Sequence, residues 1–201
     1  MFMKSSRLEA FSDGVFAVAI TLLVFDLKVP VIASAHLGRA LGHEWPSYLA
    51  FTISFLSIGI CWVNHHSIFD LVEKVDRALL FTNLGLLLGI VSIPFTTSLV
   101  ATWYHQGSNA KWAIGVYCAN WVFVSLFFML NVYYLKTREH LSSHSAVITL
   151  GSLLQKGYIG LSAYTLATVI ALIYPVVSFL ICLFLAIYYV FGVRQEELVQ
   201  N

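Results

Sequence analysis

Six apolar segments, each long enough to cross a bilayer, occupy most of this 201-residue chain. A spanning helix needs roughly 17–25 predominantly apolar residues. The candidates lie near 8–29, 48–69, 79–101, 112–135, 158–174 and 176–193. The first stops at Pro30, the second at Asp70 and the fourth at Lys136; the third contains Pro94, which is expected to bend it. Only Tyr174-Pro175 separates the last two. One helix through 158–193 would overshoot a bilayer, so a hairpin at Pro175 is expected. Hydrocarbon offers no partners to backbone N–H and C=O groups, which leaves helices as the spanning form for such runs. The expected fold is an all-α membrane protein, one six-span domain over residues 1–201.

Composition agrees. Hydrophobic residues make up 59% of the chain and charged residues 10%, against about 25% charged in soluble domains. A net charge of +1 gives no sign of a nucleic-acid partner. Lys4 and Arg7 precede the first apolar run, but Glu9 and Asp13 interrupt it and no small-residue cleavage pattern follows. It reads as a retained span rather than a cleaved signal. Cys61, Cys118 and Cys182 fall in three different apolar segments, as packing residues rather than a disulfide framework. With the N-terminus in the cytoplasm, the inner segments hold Lys4, Arg7, Lys74, Arg77, Lys136, Arg138, Lys156 and Arg194. The outer ones hold Lys28, Arg39 and Lys111. That bias orients the chain as a multi-pass cell-membrane protein with both ends inside.

An acid inside a span is costly, and Asp13 is one. It lies about one and a half turns from the inner end of the first span. The second span descends to the same side, which puts Trp62, Asn64, His65 and His66 near that depth. The third starts there, with Thr82 and Asn83, and Arg7 lies just below Asp13. These groups can hydrogen-bond across helices, at about 0.6–2 kcal/mol each. They serve either as packing ties alone or as ties that also shape a transport pathway. Metal binding by His65-His66 alone is excluded, because neighbouring helical residues point in different directions. His140 and His144 have i, i+4 spacing but lie in a polar connection near 136–157, where a solvated pair is expected.

Phe11, Val15, Val18, Leu22, Phe25 and Val29 form one stripe of the first span, beside Gly14, Thr21 and Lys28. Periodicity leaves two readings open: the stripe packs in its own subunit's core, or it faces a symmetry axis and lines a pore. Gly85 and Gly89 form a GxxxG, read as a close helix crossing. Gly157-Tyr158-Ile159-Gly160 looks like part of a potassium-channel filter but lacks its Thr-Val lead and a preceding re-entrant helix. No span carries repeated Arg, so there is no voltage sensor.

The stretch Arg7-Leu8-Glu9-Ala10-Phe11-Ser12-Asp13-Gly14-Val15-Phe16-Ala17 resembles the signature of the bacterial homologues of transmembrane protein 175. That is a family of potassium channels, lysosomal and endosomal in animals. Ala19-Ile20-Thr21-Leu22-Leu23-Val24, Trp62-Val63-Asn64-His65-His66-Ser67-Ile68-Phe69, Asn83 and Pro94-Phe95 fit as well. The resemblance implies a homotetramer of six-span subunits around a central pore lined by the first helix, without a filter loop. Counted from the Asp, it implies a constriction at Val18, Leu22 and Phe25, with Thr21 lining or supporting it. It also implies an inner hydrogen-bond cluster of Arg7, Ser12, Asp13, Trp62, His65, His66 and Asn83. Val18 stands where Ile or Leu is usual, and Phe25 where Leu is frequent. The function implied is a leak-like, potassium-permeable cation channel. Its partners are K⁺ ions, further copies of the chain and the lipid bilayer; it needs no cofactor or metal. A secondary transporter or proton-coupled carrier using Asp13 and His65 is the alternative, and broken helices at mid-membrane would favour it. No nucleophile–base pair or metal set points to an enzyme.

Overall fold

The structure is a computed structural model that describes residues 3–27, 36–138, 141 and 146–200, with backbone alone for 3, 146–149 and 190–200. Pro30, Val29, Lys28, His140 and His144 lie outside the described residues, as does the side chain of Arg194. The elements run β1 (Met3–Lys4), α1 (Ser5–Leu22), α2 (Leu37–His43), α3 (Trp45–Phe69), β2 (Lys74–Val75), α4 (Arg77–Trp103), α5 (Ser108–Thr137), α6 (Ala146–Ala171) and α7 (Pro175–Gln200). A 3₁₀ turn, Leu23–Asp26, continues α1. The expected segments near 48–69, 79–101, 112–135 and 176–193 fall within helices; the one near 8–29 is helical to Asp26, counting this turn with α1, the one near 158–174 is helical to Ala171, and Pro175 opens α7. One expectation needs correction. The polar connection is shorter than 136–157, because α5 runs on to Thr137 and α6 starts at Ala146. Apolar residues of α6 pack there: Leu150, Leu153 and Leu154 join the buried cluster. The short helix α2 and the two strands are additions that hydropathy alone does not signal.

By length and composition, Ser5–Asp26, Trp45–Phe69, Arg77–Trp103 and Ser108–Thr137 are apolar enough to cross a membrane. Among the described residues, Pro175–Tyr189 is a shorter apolar stretch.

β1 pairs antiparallel with β2, Met3 opposite Val75 and Lys4 opposite Lys74. The pairing sets the starts of α1 and α4 side by side, so the two helices leave from the same end. The end of α5 joins them through Asp76: the Leu79 N–H donates to Asp76 Oδ1 at 2.9 Å and the Tyr134 hydroxyl to Oδ2 at 2.6 Å. Lys4, Lys74, Arg77, Lys136 and Arg138 therefore gather at one end of the bundle, here called the basic end. At the opposite end the start of α3 meets the end of α4, with Trp45 packed edge-on against Tyr104.

Burial pushes the Asp76 carboxyl up, but the Leu79 and Tyr134 hydrogen bonds and nearby Arg138 outweigh it and hold it below its ordinary value. Asp76→Ala is expected to cost about 1–2 kcal/mol for the lost cap. Because the folded value is the lower one, the carboxylate contributes fully above the unfolded value of about 4. Its contribution fades as pH falls through the folded value. Thermal unfolding of wild type and variant should differ at pH 7 and converge in acid.

α1 packs on α3 and α4, α5 lies between α4 and α6, and α7 closes the bundle against α6, α3 and α5. The GxxxG is a close crossing, as its spacing indicates. The Phe127 ring covers Gly85 and leaves no room for a Cβ, and a Cβ on Gly89 would come 2.7 Å from Val124 Cγ2. α4 continues through Pro94 to Trp103. Gly157 and Gly160 lie inside α6, against Met129 and Tyr189. Cys61, Cys118 and Cys182 are free thiols, the last two buried.

Candidate functional site

On α1, Leu8, Ser12, Phe16 and Ala19 are buried, and Leu23 of the following turn continues their line. These positions follow the 3.6-residue period of one helix face. They are not the stripe singled out from the sequence. Val18 is 55% exposed, Leu22 43% and Phe25 79%, and Phe11 is exposed with them. Among the described residues of the stripe, Val15 packs partly against the core. The stripe is therefore not the core of its own subunit. Thr21 is exposed beside it, its hydroxyl within 3.0 Å of Ala17 O and 2.9 Å of Val18 O. With its proton held by its own helix, Thr21 presents oxygen lone pairs outward.

The polar residues of α1, α3 and α4 meet as their depths indicated, but in a narrower set. At the centre is Asn83, buried with Ser12 and His65. Asn83 Nδ2 donates to Ser12 Oγ at 3.0 Å, and Ser12 donates in turn to Leu8 O at 2.9 Å. Asn83 Oδ1 lies 2.9 Å from His65 Nε2. Since the amide nitrogen is used on Ser12, its oxygen must accept, and the His65 proton sits on Nε2. The chain His65–Asn83–Ser12 thus ties α3, α4 and α1 in one direction. Phe69 stacks on the His65 ring at 4.3 Å and Phe16 lies tilted at 5.4 Å. Asp13 has its own tie: Trp62 Nε1 donates to Asp13 Oδ1 at 2.8 Å.

His66 and Arg7 do not join this chain. His66 turns away from His65 and pairs with Glu9, Nδ1 to Oε1 at 2.8 Å. Arg7 is exposed on the other flank of α1, in a groove with Phe11, Arg77, Phe81 and Leu84. Successive helical residues are 100° apart, so Arg7 and Glu9 point nearly opposite ways. Asn64 likewise leaves the layer and lines a cavity of about 100 Å³ between α3, α5, α6 and α7. Thr82 bonds Asn131 Oδ1 at 2.7 Å. Depth alone missed a second buried tie, where Ser54 Oγ lies 2.8 Å from Thr97 Oγ1 and 3.1 Å from Tyr117 Oη. A Ser, a Thr and a Tyr at one depth on three adjacent spans were the available signal.

A family described as the endosomal/lysosomal potassium channel TMEM175 matches residues 7–94, the part that holds α1, α3 and most of α4. A potassium channel of Streptomyces collinus is 45% identical over 139 residues, 69% of this chain and 68% of that protein. A potassium channel of Chamaesiphon minutus is 39% identical over 191 residues, 92% of this chain and 93% of that protein. The endosomal/lysosomal proton channel TMEM175 of Homo sapiens is 31% identical over 134 residues, which are 62% of this chain and 27% of the human protein. A crystal structure of a lysosomal potassium-selective channel TMEM175 homolog from Chamaesiphon minutus superposes with a TM-score of 0.82 at 35% identity, over 94% of this chain and 97% of that one. The helices, the polar ties of the first three long helices and an alignment that runs nearly end to end agree: the chain belongs to the TMEM175 family of channels.

Proposed function

We propose that this chain is one subunit of a homotetrameric, potassium-permeable, leak-like cation channel in the cell membrane, with six spans over residues 1–201 and both termini in the cytoplasm. α1 lines the pore on the symmetry axis. Val18, Leu22 and Phe25 form apolar rings there, and Thr21 adds a ring of hydroxyl oxygens. Ser12, Asp13, Trp62, His65 and Asn83 hold α1 against its subunit. The observation that carries this reading is the two-sided character of α1, whose inner face is packed while the Val18, Leu22 and Phe25 stripe is left uncovered. α6 and α7, at 26 residues each, reach about 39 Å and exceed a hydrocarbon core of about 30 Å. Gathering of Lys4, Lys74, Arg77, Lys136 and Arg138 at one end supports a cytoplasmic basic end. Apolar rings pass ions only on partial dehydration or widening, so the expected selectivity for K⁺ over Na⁺ is modest.

The carrier alternative draws no support from the site. Asp13 accepts from Trp62 while His65 bonds Asn83, so the two are not in one relay.

The test is reconstitution into liposomes with a K⁺ gradient and a flux readout, beside mass measurement in mild detergent. Four copies per particle and passive, non-saturating K⁺ flux are expected. A monomer or dimer with flux intact, or flux that saturates at carrier-like turnover, rejects the reading.

A further inference from the structure

Glu9, His66 and Asp70 form a cluster that the polar ties of α1 do not use. His66 closes the last turn of α3 and Asp70 follows four residues on, so both side chains address one side of the helix. Glu9 reaches them from α1. One donor atom from each lies within 4.8 Å of the other two. Glu9 Oε1 is 2.8 Å from His66 Nδ1, and Asp70 Oδ2 stands 3.8 Å from Nε2. The second separation is too long for a hydrogen bond. It is close to the roughly 3.4 Å between two donors that share a tetrahedral zinc at about 2.0–2.2 Å. Among the described residues, the Asp70 carboxylate has no hydrogen bond, and the Glu9 carboxylate has His66 alone.

We propose that Glu9, His66 and Asp70 bind a divalent first-row transition cation of the Zn²⁺ class, and that the bound ion clamps α1 to α3. The donor set carries the choice of ion. An imidazole with two carboxylates suits zinc and its neighbours, whereas magnesium and calcium take oxygen ligands throughout. Three protein donors leave a fourth position for water. Glu9 and Asp70 stand on different ring nitrogens of His66, so sharing one ion at Nε2 requires the Glu9 carboxylate to leave Nδ1. This site takes only His66 and finds its partners four residues on and on another helix. The clamp bears on conduction because the proposed function places α1 along the pore; the ion site itself does not depend on that reading.

The test titrates ZnCl₂ calorimetrically into the purified, chelator-treated protein, with thermal unfolding as a check on folding. Wild type is expected to bind one more Zn²⁺ per chain than Glu9→Gln or His66→Gln, or to bind it at least about tenfold more tightly. Asp70→His keeps three donors and should retain the site, which separates loss of a ligand from loss of fold. Zn²⁺ binding that is equal in wild type and both Gln variants overturns the site. In liposomes, Zn²⁺ should slow K⁺ flux through wild type and spare His66→Gln. Binding with unchanged flux overturns the clamp. Intact Zn²⁺ binding by a protein that passes no K⁺ supports the site while counting against the channel reading.

Discussion

Leu22→Asn is expected to raise K⁺ flux and to reduce discrimination against Na⁺. With α1 on the axis, the change sets four amides into a ring that is otherwise apolar. Water can then remain in the ring, and a cation passes without shedding as much of its shell. A barrier lowered by about 1.4 kcal/mol raises flux about tenfold. Leu22 is 43% exposed within its subunit, so the variant should unfold near the wild-type temperature. A stripe that faces lipid predicts a different result: unchanged flux for both ions. K⁺ and Na⁺ flux measured beside thermal stability separates the two. Phe25 is the next position to compare, since its larger ring follows Leu22 along the same stripe.

The largest loss of stability is expected at Asn83, not at Asp13. Asn83→Ala leaves the buried His65 Nε2–H without its acceptor and removes the donor to Ser12. A stranded buried group costs roughly 1–3 kcal/mol, and the cavity adds to it. Ser12 keeps its bond to Leu8 O, so its share is small. Asp13→Ala gives up one bond from Trp62, which is itself exposed. A hydrogen bond of that kind contributes about 0.5–1.5 kcal/mol. The ordering of the two variants in thermal unfolding checks this. A double-mutant cycle between Asn83→Ala and Ser12→Ala should show coupling, because the two share one bond. Equal losses at Asn83 and Asp13 would instead place Asp13 at the centre of the tie.

Some of this arrangement is local and some is not. The six apolar segments, their depths and the turn at Tyr174-Pro175 depend on stretches of consecutive residues, so they can be read along the chain. The GxxxG crossing is local in the same sense, since two missing side chains four apart invite a neighbour. The motif around Asp13 likewise carries the family. Which way each polar side chain turns is another matter. His65 and His66 are adjacent, yet one is sealed against Phe69 and Asn83 and the other meets Glu9 at the surface. Arg7 and Glu9 share a depth, yet they lie on opposite flanks of α1. A step of 100° per residue turns sequence neighbours onto different faces, and only the packed positions of α3 and α4 decide which face is core. The stripe of Val18, Leu22 and Phe25 shows the same limit. Its spacing fits a buried face as well as an open one, and the choice was made when Leu8, Ser12, Phe16, Ala19 and Leu23 took the side that α3 and α4 cover.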